Sequence, residues 1–297
     1  MSRLEVRKTY KLYIGGQFPR SESGRSYVVT DAKGGFVANA SRASRKDARD
    51  AIVAARAAFP GWSGATAYNR GQVLYRVAEV MQGRAEQFAA EVAAGEGVRL
   101  SQARDLVAAA IDRWVWYAGW TDKLSQVVGS TNSVAGPYFD FSIPEPTGIV
   151  AVLAPQDSSL LGLVSVLAPA LAGGNVVVAV SSQNRPLPAI SLAEAFATSD
   201  VPSGVVNLLT GGAAEIGPWL AEHADVNAID LTGTAGAHEG DDAADAGLAR
   251  DLEAKAAGTL KRVRRTSAGS PDWAAEPGLS RMTGFLETKT VWHPIGV

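Results

Sequence analysis

GIVAVLAPQDSSLLGLVSVLAPALAGGNVVVAV, residues 148–180, decides the fold. Two uninterrupted apolar runs, GIVAVLA (148–154) and NVVVAV (175–180), have strand length and are rich in β-branched residues. Between them SSLLGLVSVLAPALAGG (158–174) has the length of a helix. Strands that are apolar throughout, instead of alternating, have both faces covered, which is the condition of a parallel sheet sandwiched between helices. The first strand breaks at Pro155, and α/β folds bind ligands just beyond the carboxyl ends of their strands. Gln156, Asp157, Ser158 and Ser159 therefore stand where chemistry would be sought.

Downstream the alternation repeats. PAISLAEAFATSD (188–200) reads as a helix, VVNLLTG (205–211) as a strand, AAEIGPWLAEHA (213–224) as a helix and VNAIDLTG (226–233) as a strand. AHEGDDAADAG (237–247), acidic and built of small residues, reads as a loop. RDLEAKAAGTLKRV (250–263) reads as a closing helix, with basic KRVRR (261–265) as its solvated end. The predicted fold class is α/β, a doubly wound Rossmann-like parallel sheet.

Upstream, KLYIGGQF (11–18) predicts a hairpin turning at Gly15-Gly16. Ser44 and Asp47 fit a capping box for a helix that presents Ala48, Ala51, Ile52, Ala55 and Phe59, and Pro60-Gly61 is expected to stop it. Further helices are expected over 69–94 and 101–128. In the second, Trp114, Trp116, Tyr117 and Trp120 have the spacing of core packing. SVAGPYFDFSIPEP (133–146) is bracketed by prolines and reads as an exposed ribbon arm. FLETKTVW (285–292) reads as a strand that should pair with that arm or with a partner chain, whereas 266–284 is rich in Pro, Gly and Ser and reads as a linker or surface meander. The expected division is an α/β domain over 1–128 and 147–265, a small β arm over 129–146 and 285–297, and the linker 266–284.

Composition removes several function classes. The 297 residues include no cysteine, which excludes disulfides, thiolate metal sites and a cysteine nucleophile. A net charge of −2 gives no global field for nucleic acid or an acidic membrane, so neither is expected as a partner. His223, His238 and His293 lack ligand-like spacing. Asp157, Asp230 and the acids of 239–242 could gather at the strand edge around a divalent ion, but a solvated acidic loop is the plainer reading, and no metal is expected. The N-terminal residues show no apolar secretion segment, and the longest near-apolar run, 160–174, falls short of the about 20 residues that span a bilayer. A cytoplasmic location is the expectation. GGAAEIGP (211–218) and LTGTAG (231–236) each follow a strand, but their glycine spacing matches no phosphate-binding motif.

The ordered series LYIGGQF (12–18), AARAAFPGW (54–62), PEPTGIVAVLAP (144–155), GNVVV (174–178), VPSGVVNLLTG (201–211), DLTGT (230–234) and FLETKTVW resembles the aldehyde dehydrogenase superfamily. The resemblance implies a nicotinamide-nucleotide domain and an oligomerisation arm made of a hairpin and a terminal strand. It also shows what has changed. Where the family has Pro-Trp-Asn-aromatic-Pro, with an oxyanion-stabilising asparagine, this chain has Pro155-Gln156-Asp157-Ser158-Ser159; a carboxylate only accepts hydrogen bonds and repels a developing oxyanion. The family's ribose-binding Lys-Pro-Ser-Glu is matched by Val180-Ser181-Ser182-Gln183, and the glycine due four residues after Thr234 is His238. The general-base glutamate aligns near Thr266. Only about 20 residues separate the last nucleotide-domain helix from FLETKTVW, where the family has a catalytic domain.

These features imply no catalytic residues and no bound cofactor, with a vestigial NAD(P) site at Thr232, Gly233, Thr234 and Ser182. Ser158 and Ser159 are expected to cap the helix over 160–168. Phe139, Phe141, Ile143, Phe285, Val291 and Trp292 are expected at an interface, because apolar edge strands are liabilities unless paired. The leading expectation is a non-catalytic subunit that forms a homo-oligomer, or a hetero-oligomer with a full-length aldehyde dehydrogenase. The alternative is an NAD(P)-binding oxidoreductase subunit whose site a partner chain completes.

Overall fold

A computed structural model describes residues 8–238, 240–265 and 271–296. Thr266 and Glu239 lie outside the described residues. Strands β1 (Thr9–Tyr10), β2 (Ser26–Thr30) and β3 (Phe36–Ser41) form a small sheet in the order β1-β3-β2. The expected hairpin is present: Ile14 pairs with Gln17 across Gly15 and Gly16, whose φ values of 58° and 79° suit a tight primed turn. Helix α1 (Arg45–Gly64) opens with the expected capping box, Asp47 N–H donating to Ser44 Oγ and Ser44 N–H to Asp47 Oδ2 at 2.8 Å.

Three helix ends differ from expectation. Pro60 does not stop α1, because Trp62 is buried two residues on and its indole N–H reaches the Leu171 carbonyl at 3.2 Å. The single helix expected over 69–94 is two, α2 (Ala67–Gly83) and α3 (Ala85–Glu96), parted at Arg84, whose guanidinium is drawn to Glu194 at 2.5 Å. The next splits likewise at Gly119 into α4 (Leu100–Ala118) and α5 (Leu124–Val128). Trp114 and Tyr117 lie in the core, as their spacing predicted, and Trp116 and Trp120 pack partly against it.

After β4 (Ser130–Asn132) and β5 (Tyr138–Pro146) come β6 (Ile149–Leu153), α6 (Leu161–Ala172), β7 (Val176–Val180), α7 (Leu187–Phe196), β8 (Val206–Leu209), α8 (Ala213–Glu222) and β9 (Ala228–Asp230). The chain continues through α9 (Asp242–Ala257), β10 (Arg262–Arg264), α10 (Ser280–Thr283) and β11 (Leu286–Pro294). The central sheet is parallel throughout, in the order β10-β9-β6-β7-β8, and every residue of β6 and β7 is buried. Two expectations fail near its edge. The acidic stretch 237–247 is loop only at its start, because Asp241 caps α9 by accepting from Ala244 N–H at 2.9 Å. KRVRR is no helix end: residues 262–264 form the edge strand β10 beside β9. No helix among the described residues is long and apolar enough to cross a membrane.

The arm is a separate antiparallel sheet, β11-β5-β4, in which β11 pairs with β5 over nine positions from Leu286↔Pro146 to Pro294↔Tyr138. Of the two partners foreseen for the terminal strand, its own chain's arm is the one it meets.

Residues 271–284 run mostly along the surface but are anchored at two side chains. Trp273 and Met282 are buried, and Arg113 donates from Nη2 to the carbonyls of Trp273 (3.0 Å) and Ala275 (2.8 Å). Arg281 reaches from α10 to Asp230 Oδ2 at 3.0 Å, and that carboxylate has no exposed surface. Removing one member of a buried pair strands the other, at a cost of roughly 3–5 kcal/mol. Arg281→Met is therefore expected to lower the urea-unfolding free energy by about that amount, and a loss below about 1 kcal/mol would show the pair to be solvated.

A second, partly buried carboxyl joins the small sheet to the helices. Glu91 Oε1 on α3 accepts from Tyr10 Oη, Gln87 Nε2 and Ser191 Oγ, the last at 2.7 Å, while Oε2 is buried without a partner. Burial pushes its pKa above the usual carboxylate range, against the pull of those three bonds. The folded chain then holds this proton more tightly than the unfolded chain, so stability falls as pH rises through the window between the two values. Uncharged Glu91→Gln is expected to gain stability relative to the parent as pH rises above the ordinary carboxylate range in denaturant titrations, and parallel pH profiles would refute it.

Candidate functional site

Chain order along the sheet reverses between β6 and β9, and the loops leaving those two strands flank the point where such folds bind ligands. Here the two loops touch. A Cβ on Gly233 would lie 2.0 Å from the carbonyl oxygen of Ala154, so only glycine permits this approach. A Cβ on Gly236, whose φ is 76°, would lie 3.2 Å from the Cβ of Gln156, a looser approach.

Polar groups of the β6 loop are spent on structure. Gln156 donates from Nε2 to the Ala154 carbonyl at 2.8 Å, and its Oε1 accepts from Gln183 N–H at 3.0 Å. The N-cap position of α6 falls on Leu160, which has no capping side chain; Ser158 Oγ, two residues before it, accepts from Gly162 N–H at 2.9 Å and so satisfies one free N–H of the first turn. Ser159 does not share that role: its N–H and Oγ–H both donate to Glu96 Oε1 at the end of α3. Asp157 is exposed, and its carbonyl accepts from Arg185 at 2.8 Å.

The four residues named for a vestigial nucleotide site do gather around the β6 loop. Ser182 is buried and donates to the Gln156 carbonyl at 3.2 Å. Thr232 and Thr234 are buried in a 3₁₀ turn with Gly233 between them. Thr232 donates from N–H (2.9 Å) and Oγ1 (2.5 Å) to Asp230 Oδ1, and Thr234 Oγ1 donates to the Leu231 carbonyl. Each hydroxyl proton is already committed within the chain.

The turn that follows holds an anion of its own. Asp245, buried on α9, accepts from Gly236 N–H at 2.5 Å and from His238 N–H at 2.8 Å, and it contacts His238 Nδ1 at 3.1 Å. Backbone N–H groups in such turns make anion-binding concavities, and here a carboxylate from the same chain fills the concavity. Asp245 escaped the sequence reading because its stretch looked like solvated loop. Asp230 carried a better signal, a lone charge ending an apolar strand, which requires a partner. Among the described residues no three His, Cys, Asp or Glu side chains gather as a metal site.

The arm presents the second candidate surface. Its pleat places Phe139, Phe141, Ile143 and, across the ladder, Val291 on one face, with the Phe139 and Phe141 rings 5.5 Å apart. Phe139 is 48% exposed. Trp292 is 58% exposed but belongs to the opposite face, where its ring meets Tyr138 at 5.7 Å. Phe285 is a correction: it precedes β11 and is buried in the chain's own core, so it offers no surface to a partner.

Residues 18–248 match the profile of the aldehyde dehydrogenase family. The mouse cytosolic 10-formyltetrahydrofolate dehydrogenase is 32% identical over 240 residues, covering 79% of this chain and 26% of that protein. The D-glyceraldehyde dehydrogenase (NADP(+)) of Thermoplasma acidophilum is 32% identical over 225 residues, 75% of this chain and 45% of that protein. The crystal structure of an NAD-dependent aldehyde dehydrogenase from Sinorhizobium meliloti superposes with a TM-score of 0.77 at 25% identity, over 87% of this chain and 50% of that one. The chain thus spans half or less of the length of these relatives.

Replacing Asp245 with alanine leaves two N–H groups without an acceptor, and each such loss costs roughly 1–3 kcal/mol. Asp245→Ala is expected to unfold at lower urea, and millimolar inorganic pyrophosphate is expected to restore part of the loss while leaving the parent unmoved. An equal response in both proteins would show that Asp245 does not close the turn.

Proposed function

The chain belongs to the aldehyde dehydrogenase family, and on that premise we propose that it is a non-catalytic subunit, assembling with itself or with a full-length aldehyde dehydrogenase in a structural or regulatory role. The observation that carries this reading is the contrast between its two candidate surfaces. The crevice is closed by its own side chains, whereas the arm carries exposed aromatic side chains that pack only on one another and ends in β11, which has a free outer edge among the described residues.

Family chemistry needs a thiolate to attack an aldehyde and a base to activate the deacylating water. A sequence of 297 residues without cysteine supplies no thiolate. Asp157, at the position of the oxyanion-stabilising asparagine, adds negative charge where a donor belongs. Asp245 occupies the turn that a pyrophosphate would use, which argues for assembly without a bound nucleotide.

The arm's face supports association on physical grounds. Burying one Phe side chain fully is worth about 1.5–3 kcal/mol. The face formed by Phe139, Phe141, Ile143 and Val291 is continuous across two strands. The edge of β11 also offers unpaired backbone groups to a further strand.

Phe139→Asp with Phe141→Asp is expected to weaken self-association, or capture of a co-expressed full-length aldehyde dehydrogenase, by at least about tenfold, or about 1.4 kcal/mol. Sedimentation equilibrium and intact-complex mass spectrometry read both. A parent chain that stays monomeric at micromolar concentration and captures no full-length homologue would end this reading.

A further inference from the structure

A second concavity lies away from both surfaces, between the first turns of α1 and the end of α8. Its volume of about 440 Å³ falls within the range of small-molecule sites, about 300–1,000 Å³. Ala48 and Ile52 make an apolar floor, and Trp219 and His223 stand on the α8 side.

Charge placement here runs against helix preference. Arg45, Lys46 and Arg49 fall in the first turns of α1, where the macrodipole favours anions and penalises cations by about 0.3–1 kcal/mol each. Nearby acids do not offset all three. Asp50 serves Lys46 and Arg49, Glu222 pairs with Lys255, and Glu215 is held by Arg25 and Arg42. Arg45 is left without a carboxylate among the described residues. Its guanidinium lies 4.1 Å from the centroid of the Trp219 ring, a stacking that fixes the group's orientation and leaves its N–H edge free to donate. His223 Nδ1 accepts from Asp225 N–H at 3.2 Å, so in the neutral ring Nε2 carries the proton and is a second donor bordering the cleft.

We propose that this cleft binds a small organic anion, with its carboxylate, sulfonate or phosphate group on Arg45 and His223 and its apolar body on Ala48 and Ile52. The guanidinium supplies a planar donor pair that matches a tetrahedral or trigonal oxyanion. The floor supplies the burial that a fully hydrated inorganic ion would forgo.

Anilinonaphthalene sulfonate, an apolar sulfonate with fluorescence sensitive to burial, is the probe, and phenylnaphthylamine is its uncharged equivalent. Saturable binding of the sulfonate is expected, with Arg45→Gln lowering its affinity at least about tenfold and Arg49→Gln, whose charge is spent on Asp50, changing it less than about twofold. Melting curves of both variants should match the parent, since both side chains are at the surface. Equal losses in the two variants would reduce the effect to general charge. Undiminished binding in Arg45→Gln, or equal affinity of the parent for the uncharged probe, would overturn the site.

Discussion

A carboxylate with no exposed surface ends β9, and the C-terminal part of the chain is arranged around satisfying it. Asp230 takes two hydrogen bonds from Thr232 on one oxygen and the Arg281 guanidinium on the other. The first pair folds the strand sharply into its 3₁₀ turn and so brings Gly233 down upon Ala154. The second holds residues 271–284 against α4 and α6, where Trp273 and Met282 complete the core. An uncompensated charge at that depth would cost several kcal/mol. The turn, the crevice and the returning segment therefore share one electrostatic requirement.

That requirement explains why β11 arrives where it does. The segment ending at Phe285 is anchored in the core, and the Asn175 side chain donates to the Phe285 carbonyl at 3.0 Å. From there the next nine residues can only run outward along β5, and they do so without a register shift. The chain's closing strand is thus pinned at its start by core packing and projects free of it at its end. Assembly through this sheet would draw on a ribbon whose base is rigid, which limits the ordering cost of binding.

Much of this was legible in the residues. Apolar runs without alternation predicted the parallel sheet, and a serine three residues before an aspartate predicted the α1 cap. Helix ends were less legible, because what overrode them was distant: Trp62 finds the Leu171 carbonyl far along the chain, and Arg84 finds Glu194. KRVRR misled because a basic run at an edge strand has the same composition as a solvated helix end. The burial of Trp273 and Met282 was not readable, because the prolines and glycines around them report backbone irregularity and say nothing of burial. Within the candidate site the residue types at 232–234 were readable, but their occupation was not. No local pattern announces that Asp245 will fold back onto the N–H groups of Gly236 and His238.

The closed turn and the exposed arm also bear on each other. A nucleotide site must keep donors unsatisfied until its ligand arrives, and each unsatisfied buried donor lowers the stability of the free chain. Asp245, Gln156 and Ser182 remove that burden here by pairing within the chain. Under the proposed reading, stability gained at a self-satisfied crevice would offset the cost of aromatic side chains left in water on the arm. Self-satisfaction at one surface and exposure at the other are the two features on which the proposed assembly role rests, and on that proposal recognition would pass from the strand ends to the ribbon.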